Sequence, residues 1–163
     1  MLKGVSKVEP GFAGGELENP SYERVSQGNT GHAEVIRVTY DPAIISYEDL
    51  LKVFFGSHDP TTLNRQDYDV GSEYRSIILY QSEEEKKIAQ RLIREIEATL
   101  KEMSSQSEVM LIVTQVVPLK QFYPAENYHQ NFYEQNKGSR YCQLIIEPKI
   151  EKVRKRFAEL VQQ

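Results

Sequence analysis

Apolar and polar positions alternate through residues 34–40 (EVIRVTY), with β-branched side chains among the apolar ones, which predicts a half-buried strand ended by Asp41-Pro42. Residues 5–15 alternate more weakly and finish in Gly14-Gly15, as a strand running into a turn does. Two continuous apolar runs, 76–80 (SIILY) and 109–117, predict strands of the fully buried kind, the second closed by Pro118. The period then becomes helical: Ile88, Leu92, Ile96 and Leu100 share one face of the longest helix, residues 83–103. Ser82 with Glu85 forms a capping box at its start, and Ser46 with Asp49 opens another helix whose apolar side chains run from Leu50 toward Gly56. Pro20 at a first helical position predicts a short helix over 21–27 closed by Gly28. Further on, 125–135 reads as a helix, 141–147 as a strand or extended arm, and 148–161 as a terminal helix with Pro148 at its start. Helices alternating with strands argue for an α/β protein, a mixed sheet with helices against it.

With 163 residues the chain is expected to be a single domain, 1–163, without internal repeats. A formal charge of −4 gives no electrostatic footprint for nucleic acid, and the basic run at 149–156 (KIEKVRKR) reads as a solvated helix face. No apolar stretch approaches the roughly 20 residues of a membrane span, and no signal peptide precedes the first motif. The expectation is a soluble, cytoplasmic monomer without membrane or nucleic-acid partners. One cysteine, Cys142, excludes an intramolecular disulfide and a cysteine-rich metal site within this chain, which suits a reducing compartment.

Residues 58–76 (HDPTTLNRQDYDVGSEYRS) carry almost no aliphatic side chain, and a polar connection of this length is usually functional or disordered. The segment resembles the active-site loop of the type A methionine sulfoxide reductases. The family's HDPTT stands here as His58-Asp59-Pro60-Thr61-Thr62, its NRQ as Asn64-Arg65-Gln66, and its DxGxxYRS at 69–76. A second block agrees: Asn19-Pro20-Ser21-Tyr22 followed by Gly31-His32-Ala33-Glu34 is similar to the family's NPxY and GHAE runs. The resemblance covers essentially the whole chain and implies a two-layer α/β sandwich with a mixed sheet and a ferredoxin-like core. It also implies that the family's first strand, its GCFW nucleophile segment and that segment's Phe-Trp pair lie upstream of Met1. Their absence would leave apolar sheet edge uncovered.

Reducing a sulfoxide requires a nucleophile at sulfur and a proton delivered to oxygen. A carboxyl in a partly dry pocket holds its proton near neutral pH, and phenols add neutral donors aimed at the same oxygen. By the resemblance, Glu34 is the acid, Tyr22 and Tyr74 donate to the sulfoxide oxygen, and Asp69 organises the polar site and its water. Without their motifs, Glu34 would read as an exposed acid at a strand start, and the two phenols as core-edge aromatics among ten tyrosines. His32, His58, Asp59 and Asp69 raise the question of a metal, but their spacing fits no common zinc pattern, so neither a metal nor a cofactor is expected. His58 is expected to cap backbone groups at the loop start, and Arg65 and Arg75 to tie the acidic loop together as ion pairs.

Cys142 follows Gly138-Ser139-Arg140-Tyr141 and is similar to the family's GYC segment. In some members that cysteine attacks the oxidised nucleophile to form a disulfide, which thioredoxin reduces. The glycine-rich tail with a further cysteine found in those members is replaced here by QLIIEPK, so a buried inert thiol is an equal reading. The resemblance implies reduction of methionine-S-sulfoxide, in proteins or as the free amino acid, in repair of oxidative damage with thioredoxin as reductant. Two other readings stand beside it. One is a binding module that recognises methionine sulfoxide without turning it over. The other makes Cys142 a substitute nucleophile, although only Arg140 is at hand to lower its pKa.

Overall fold

The computed structural model describes residues 2–103 and 111–162. The chain forms two compact units, residues 1–11, 36–58 and 124–163 in the first, and 12–35 and 59–123 in the second. Strands β1 (Val5–Ala13), β2 (Ala33–Tyr40) and β7 (Phe122–Pro124) make a sheet ordered β2-β1-β7. The alternation of residues 34–40 and the weaker one of 5–15 therefore both became strands.

In the first unit, α2 (Tyr47–Ser57) starts where its sequence signal lies. Ser46 is the N-cap, accepting from the Asp49 N–H at 3.0 Å and donating to its carboxylate at 2.6 Å. Helix α2 contacts α5 (Glu147–Arg156), and Gly56 allows this, since a Cβ there would stand 2.6 Å from the Phe157 ring. The chain start joins the same unit through a bridge between Leu2 and Val161 and a 2.8 Å bond from the Lys3 N–H to the Leu160 carbonyl. Ile45, Leu51, Phe55, Cys142 and Phe157 are among its buried side chains. The basic run lies on α5 with Lys152, Arg154, Lys155 and Arg156 exposed, as a solvated face should be.

Three expectations fail in this unit. Residues 125–135 form no single helix: a 3-10 turn (Asn127–His129) and α4 (Phe132–Asn136) are separated by Asn131, whose φ of 54° breaks the helical path. Residues 141–147 are neither strand nor arm. Cys142–Ile146 is a π-helical stretch leading into α5, and the apolar side chains read as a strand instead place Cys142 in the interior. The terminal helix is also shorter than predicted, ending at Arg156, with a separate 3-10 turn at Ala158–Leu160.

The second unit holds α1 (Tyr22–Val25), the hairpin β3 (Arg65–Gln66) and β4 (Asp69–Val70), strands β5 (Ile77–Tyr80) and β6 (Gln115–Pro118), and α3 (Glu83–Met103). Strands β5 and β6 pair in parallel, Ile77 opposite Gln115, whereas β3 and β4 are antiparallel, so strand pairing is mixed as the alternating elements required. Helix α3 packs on both β5 and β6 and buries Ala89 and Leu92, with Ile88, Ile96 and Leu100 half-buried around them. Its start is held as predicted, the Glu85 N–H donating to the Ser82 hydroxyl at 3.1 Å. Of the strand expected over 109–117, residues 109–110 lie outside the described residues, 111–114 are irregular, and only the end is β6. Helix α1 is shorter than predicted, and Ser21 rather than Pro20 begins it, as its cap. No described helix is long and apolar enough to cross a membrane.

Candidate active site

Four of the sequence-predicted site residues, Tyr22, Glu34, Asp69 and Tyr74, belong to the second unit. Each is set by local structure. Tyr22 is the first residue of α1, with Ser21 accepting the Arg24 N–H at 3.4 Å. Glu34 follows Ala33 at the start of β2. Asp69 opens β4 opposite Gln66, and Asp67 makes the hairpin turn with φ 53°. Tyr74 ends a 3-10 turn, Ser72–Tyr74, just before β5.

Hydrogen bonds tie these pieces together. Arg75 donates from Nη2 to the Gly31 carbonyl at 2.9 Å, from Nη1 to the Ser72 carbonyl at 2.7 Å and from Nε to the Gln115 side chain at 3.0 Å. The turn bearing Tyr74 is thereby fixed to the loop that leads into Glu34. Ser72 adds a 3.2 Å bond from its hydroxyl to the Gly28 carbonyl. This corrects the expected ion pairs: Arg75 satisfies carbonyls and an amide, and the Arg65 guanidinium is in no ion pair among the described residues. The loop itself is organised around Asp59, whose Oδ1 accepts from the N–H and hydroxyl of Thr61 at 2.9 and 2.7 Å. Asn64 accepts from the Gly71 N–H at 2.9 Å, and Pro60 accepts from the Val113 N–H at 2.9 Å.

The histidines are engaged by backbone. His32 is 2% exposed, and its Nδ1 accepts from the Gly15 N–H, which leaves Nε2 to carry the proton donated to the Leu17 carbonyl at 2.8 Å. Tyr123 meets the same ring edge-on. His58 bonds the Phe54 carbonyl at 2.7 Å, the cap expected of it at the end of α2.

The site residues share one unit and bias one another's ionisation. The Glu34 carboxyl is raised above the ordinary carboxylate value by loss of water around it first, then by the charges of Asp69 and Glu73. Glu34 as a residue is exposed by surface area, yet the protein around its carboxyl still favours the protonated form. Tyr74 is pushed up to about 12 by desolvation, then by Glu34, Tyr22, Asp69 and Glu73, so its hydroxyl stays a neutral donor. A carboxyl disposed to keep its proton, with a Tyr74 phenol that keeps its own, can donate to an oxygen that becomes basic as its bond breaks.

Sequence reasoning missed Glu73, which is 5% exposed and acts on both Glu34 and Tyr74. Its neighbours in the DxGxxYRS run gave no cue, because an acid in a polar loop ordinarily points to water. Cys142, by contrast, was singled out and is fully buried in the first unit.

An α/β scaffold carrying clustered acids and phenols defines a class of proton-donating site. Residues 1–161 match the peptide methionine sulfoxide reductase family. The chain is 50% identical over 158 residues to the peptide methionine sulfoxide reductase MsrA of Sulfolobus acidocaldarius, spanning 97% of this chain and 85% of that protein. It is 48% identical over 162 residues to the MsrA of Chromobacterium violaceum, spanning 99% and 89%. Among solved structures, Mxr1 from Saccharomyces cerevisiae in reduced form superposes with a TM-score of 0.76 at 33% identity, over 85% of this chain and 76% of that one. Methionine sulfoxide reductase A of Corynebacterium diphtheriae superposes at 0.75 with 30% identity, over 82% and 65%. The chain belongs to the peptide methionine sulfoxide reductase family.

Proposed function

We propose that this chain, as one reductase domain, reduces methionine-S-sulfoxide, in oxidised proteins and as the free amino acid. The reaction needs a thiolate that Cys142, the single cysteine of these 163 residues and a buried one, does not present, so these residues by themselves lack the expected nucleophile and would be inactive without one. Such a thiolate attacks the sulfoxide sulfur while Glu34 delivers its proton to the oxygen, with Tyr22 and Tyr74 donating hydrogen bonds to it and Asp69 ordering the polar surroundings. The thioether leaves, and the thiol becomes a sulfenic acid. A second thiol condenses with it, releasing water and forming a disulfide that thioredoxin reduces. A cytoplasmic monomer repairing oxidised methionine fits this reading. The observation that carries it is the match of residues 1–161 to the reductase family, with Tyr22, Glu34, Asp69 and Tyr74 all in the second unit.

A second reading has one observation in its favour. Cys142 is the single cysteine of the sequence and its side chain is closed to solvent, so it presents no thiol to a substrate. A chain of this kind could bind methionine sulfoxide without reducing it. Incubation of the purified chain with N-acetyl-methionine-S-sulfoxide and dithiothreitol, followed by chromatography of the product, separates the two. Methionine formed, and lost in Glu34→Gln, supports the reductase. Calorimetric binding without product supports the binding module, and neither product nor binding removes both.

A further inference from the structure

Arg75 follows Tyr74 in the chain, and its half-buried guanidinium reaches three separate segments of the second unit. Nη2 donates to the Gly31 carbonyl at 2.9 Å, Nη1 to the Ser72 carbonyl at 2.7 Å and Nε to the Gln115 side-chain oxygen at 3.0 Å. The group enters past Gly14, whose φ of 85° suits glycine and where a Cβ would stand 3.2 Å from Nη2. All three acceptors are neutral. In a loop rich in acids a cation ordinarily finds a carboxylate, yet Arg75 is in no ion pair among the described residues. Direction explains this better than charge does. Three bonds from one rigid planar group fix the relative placement of the segments that supply the oxygens.

Those segments carry the two groups read as donors to the sulfoxide oxygen. Gly31 lies three residues before Glu34, and Ser72 opens the 3-10 turn that ends at Tyr74. The Gln115 end is itself braced, because its N–H donates to the Ser76 carbonyl at 3.0 Å and the buried Ser76 and Thr114 hydroxyls meet at 2.8 Å. We propose that Arg75 is a positioning residue, a fork that holds the Tyr74 turn against the loop entering Glu34 so that phenol and carboxyl can address one oxygen. The inference rests on the reading of Glu34 and Tyr74 as donors and extends it to a residue that acts through them. A lysine at this position would keep the charge and lose the geometry. Its ammonium is a point charge on a flexible stem and cannot present three donors in the plane that these acceptors require.

The test is an NMR titration of the chain labelled with carbon-13 at tyrosine Cζ, with Tyr74→Phe used to assign the Tyr74 signal. Loss of water around Tyr74 is the first reason its hydroxyl is pushed up to about 12, so the midpoint reports how closely the turn is seated. In Arg75→Lys that midpoint should fall by roughly one pH unit, and the Glu34 amide resonance should move in the same variant. A folded Arg75→Lys with Tyr74 unmoved would overturn the proposal, since a side chain that only adds stability leaves the folded site as it was. Gln115→Met removes one acceptor at an exposed position and supplies a second arm. Tyr74 should shift there in the same direction by a smaller step, and no shift would also overturn the proposal, even if Arg75→Lys does not fold. Calorimetry with N-acetyl-methionine-S-sulfoxide runs beside both arms. A Tyr74 that moves in a chain that neither reduces nor binds sulfoxide would defeat the proposed function alone, and an unmoved Tyr74 in a chain that binds it would defeat only the role of Arg75.

Discussion

The backbone N–H of Gly15 donates to Nδ1 of His32 over 3.1 Å, while Nε2 of the same ring donates to the Leu17 carbonyl. The imidazole is a strut between the end of β1 and the start of β2, two residues before Glu34. Gly15 must be bare for this, because a Cβ there would run into the backbone of Thr30, Gly31 and His32. In His32→Ala two backbone groups lose partners and a buried cavity opens, so the expected loss is about 2–4 kcal/mol in urea unfolding. A loss below about 0.5 kcal/mol would contradict the strut.

Glu34 should make stability depend on pH in a direction opposite to that of a salt-bridged acid. Its folded pKa is raised, so the folded state holds the proton more tightly than the unfolded chain does. Stability is full below the unfolded carboxylate value and declines as pH climbs from that value through the folded one. Glu34→Gln should therefore melt higher than the parent at neutral pH, by about 1 °C because solvent still reaches the carboxyl, with the difference vanishing in acid. Melts showing the variant less stable at pH 7, or a difference independent of pH, would refute the linkage.

Gly56 sits near the end of α2, where alanine would ordinarily gain about 1 kcal/mol of helix propensity. Here the new methyl would stand 2.6 and 2.8 Å from two ring carbons of Phe157. Overpacking of this kind costs about 1–3 kcal/mol, so Gly56→Ala should be destabilising overall. Adding Phe157→Leu should recover part of the loss, and simple additivity in the double-mutant cycle would show that the two positions do not meet.

Cys142 should behave as an interior thiol. With 0% exposure, its reaction with Ellman's reagent must wait for local opening, and the native rate is expected to be about a hundredfold or more below that in denaturant. Rapid native labelling would place the thiol at the surface and reopen its candidacy as a nucleophile.

Where a signal acts over three or four residues, it was legible in the sequence. Ser46 and Ser82 cap α2 and α3 because a hydroxyl three residues from an N–H meets it whatever the rest of the chain does. The alternation through 34–40 became β2 for the same local reason, and the four residues to which the motif resemblance points, Tyr22, Glu34, Asp69 and Tyr74, all fall in the second unit.

What only the tertiary structure decided depends on residues distant in sequence. The run CQLII reads as a strand by its side chains, but it became π-helical in a stretch whose cysteine is buried, and packing overrode propensity there. Arg75 looked like an ion-pair partner for a loop rich in acids. Its donors instead reach Gly31 and Gln115, far off in the chain, and no spacing rule could have named them. Glu73 looked like one more solvated acid. Only the close approach of Gly28 and Gly71, which lack the Cβ atoms that would crowd its carboxyl group, made it a buried side chain. Sequence determines which atoms can bond locally, whereas burial is a property of everything that surrounds an atom, and it exists only once the chain has folded.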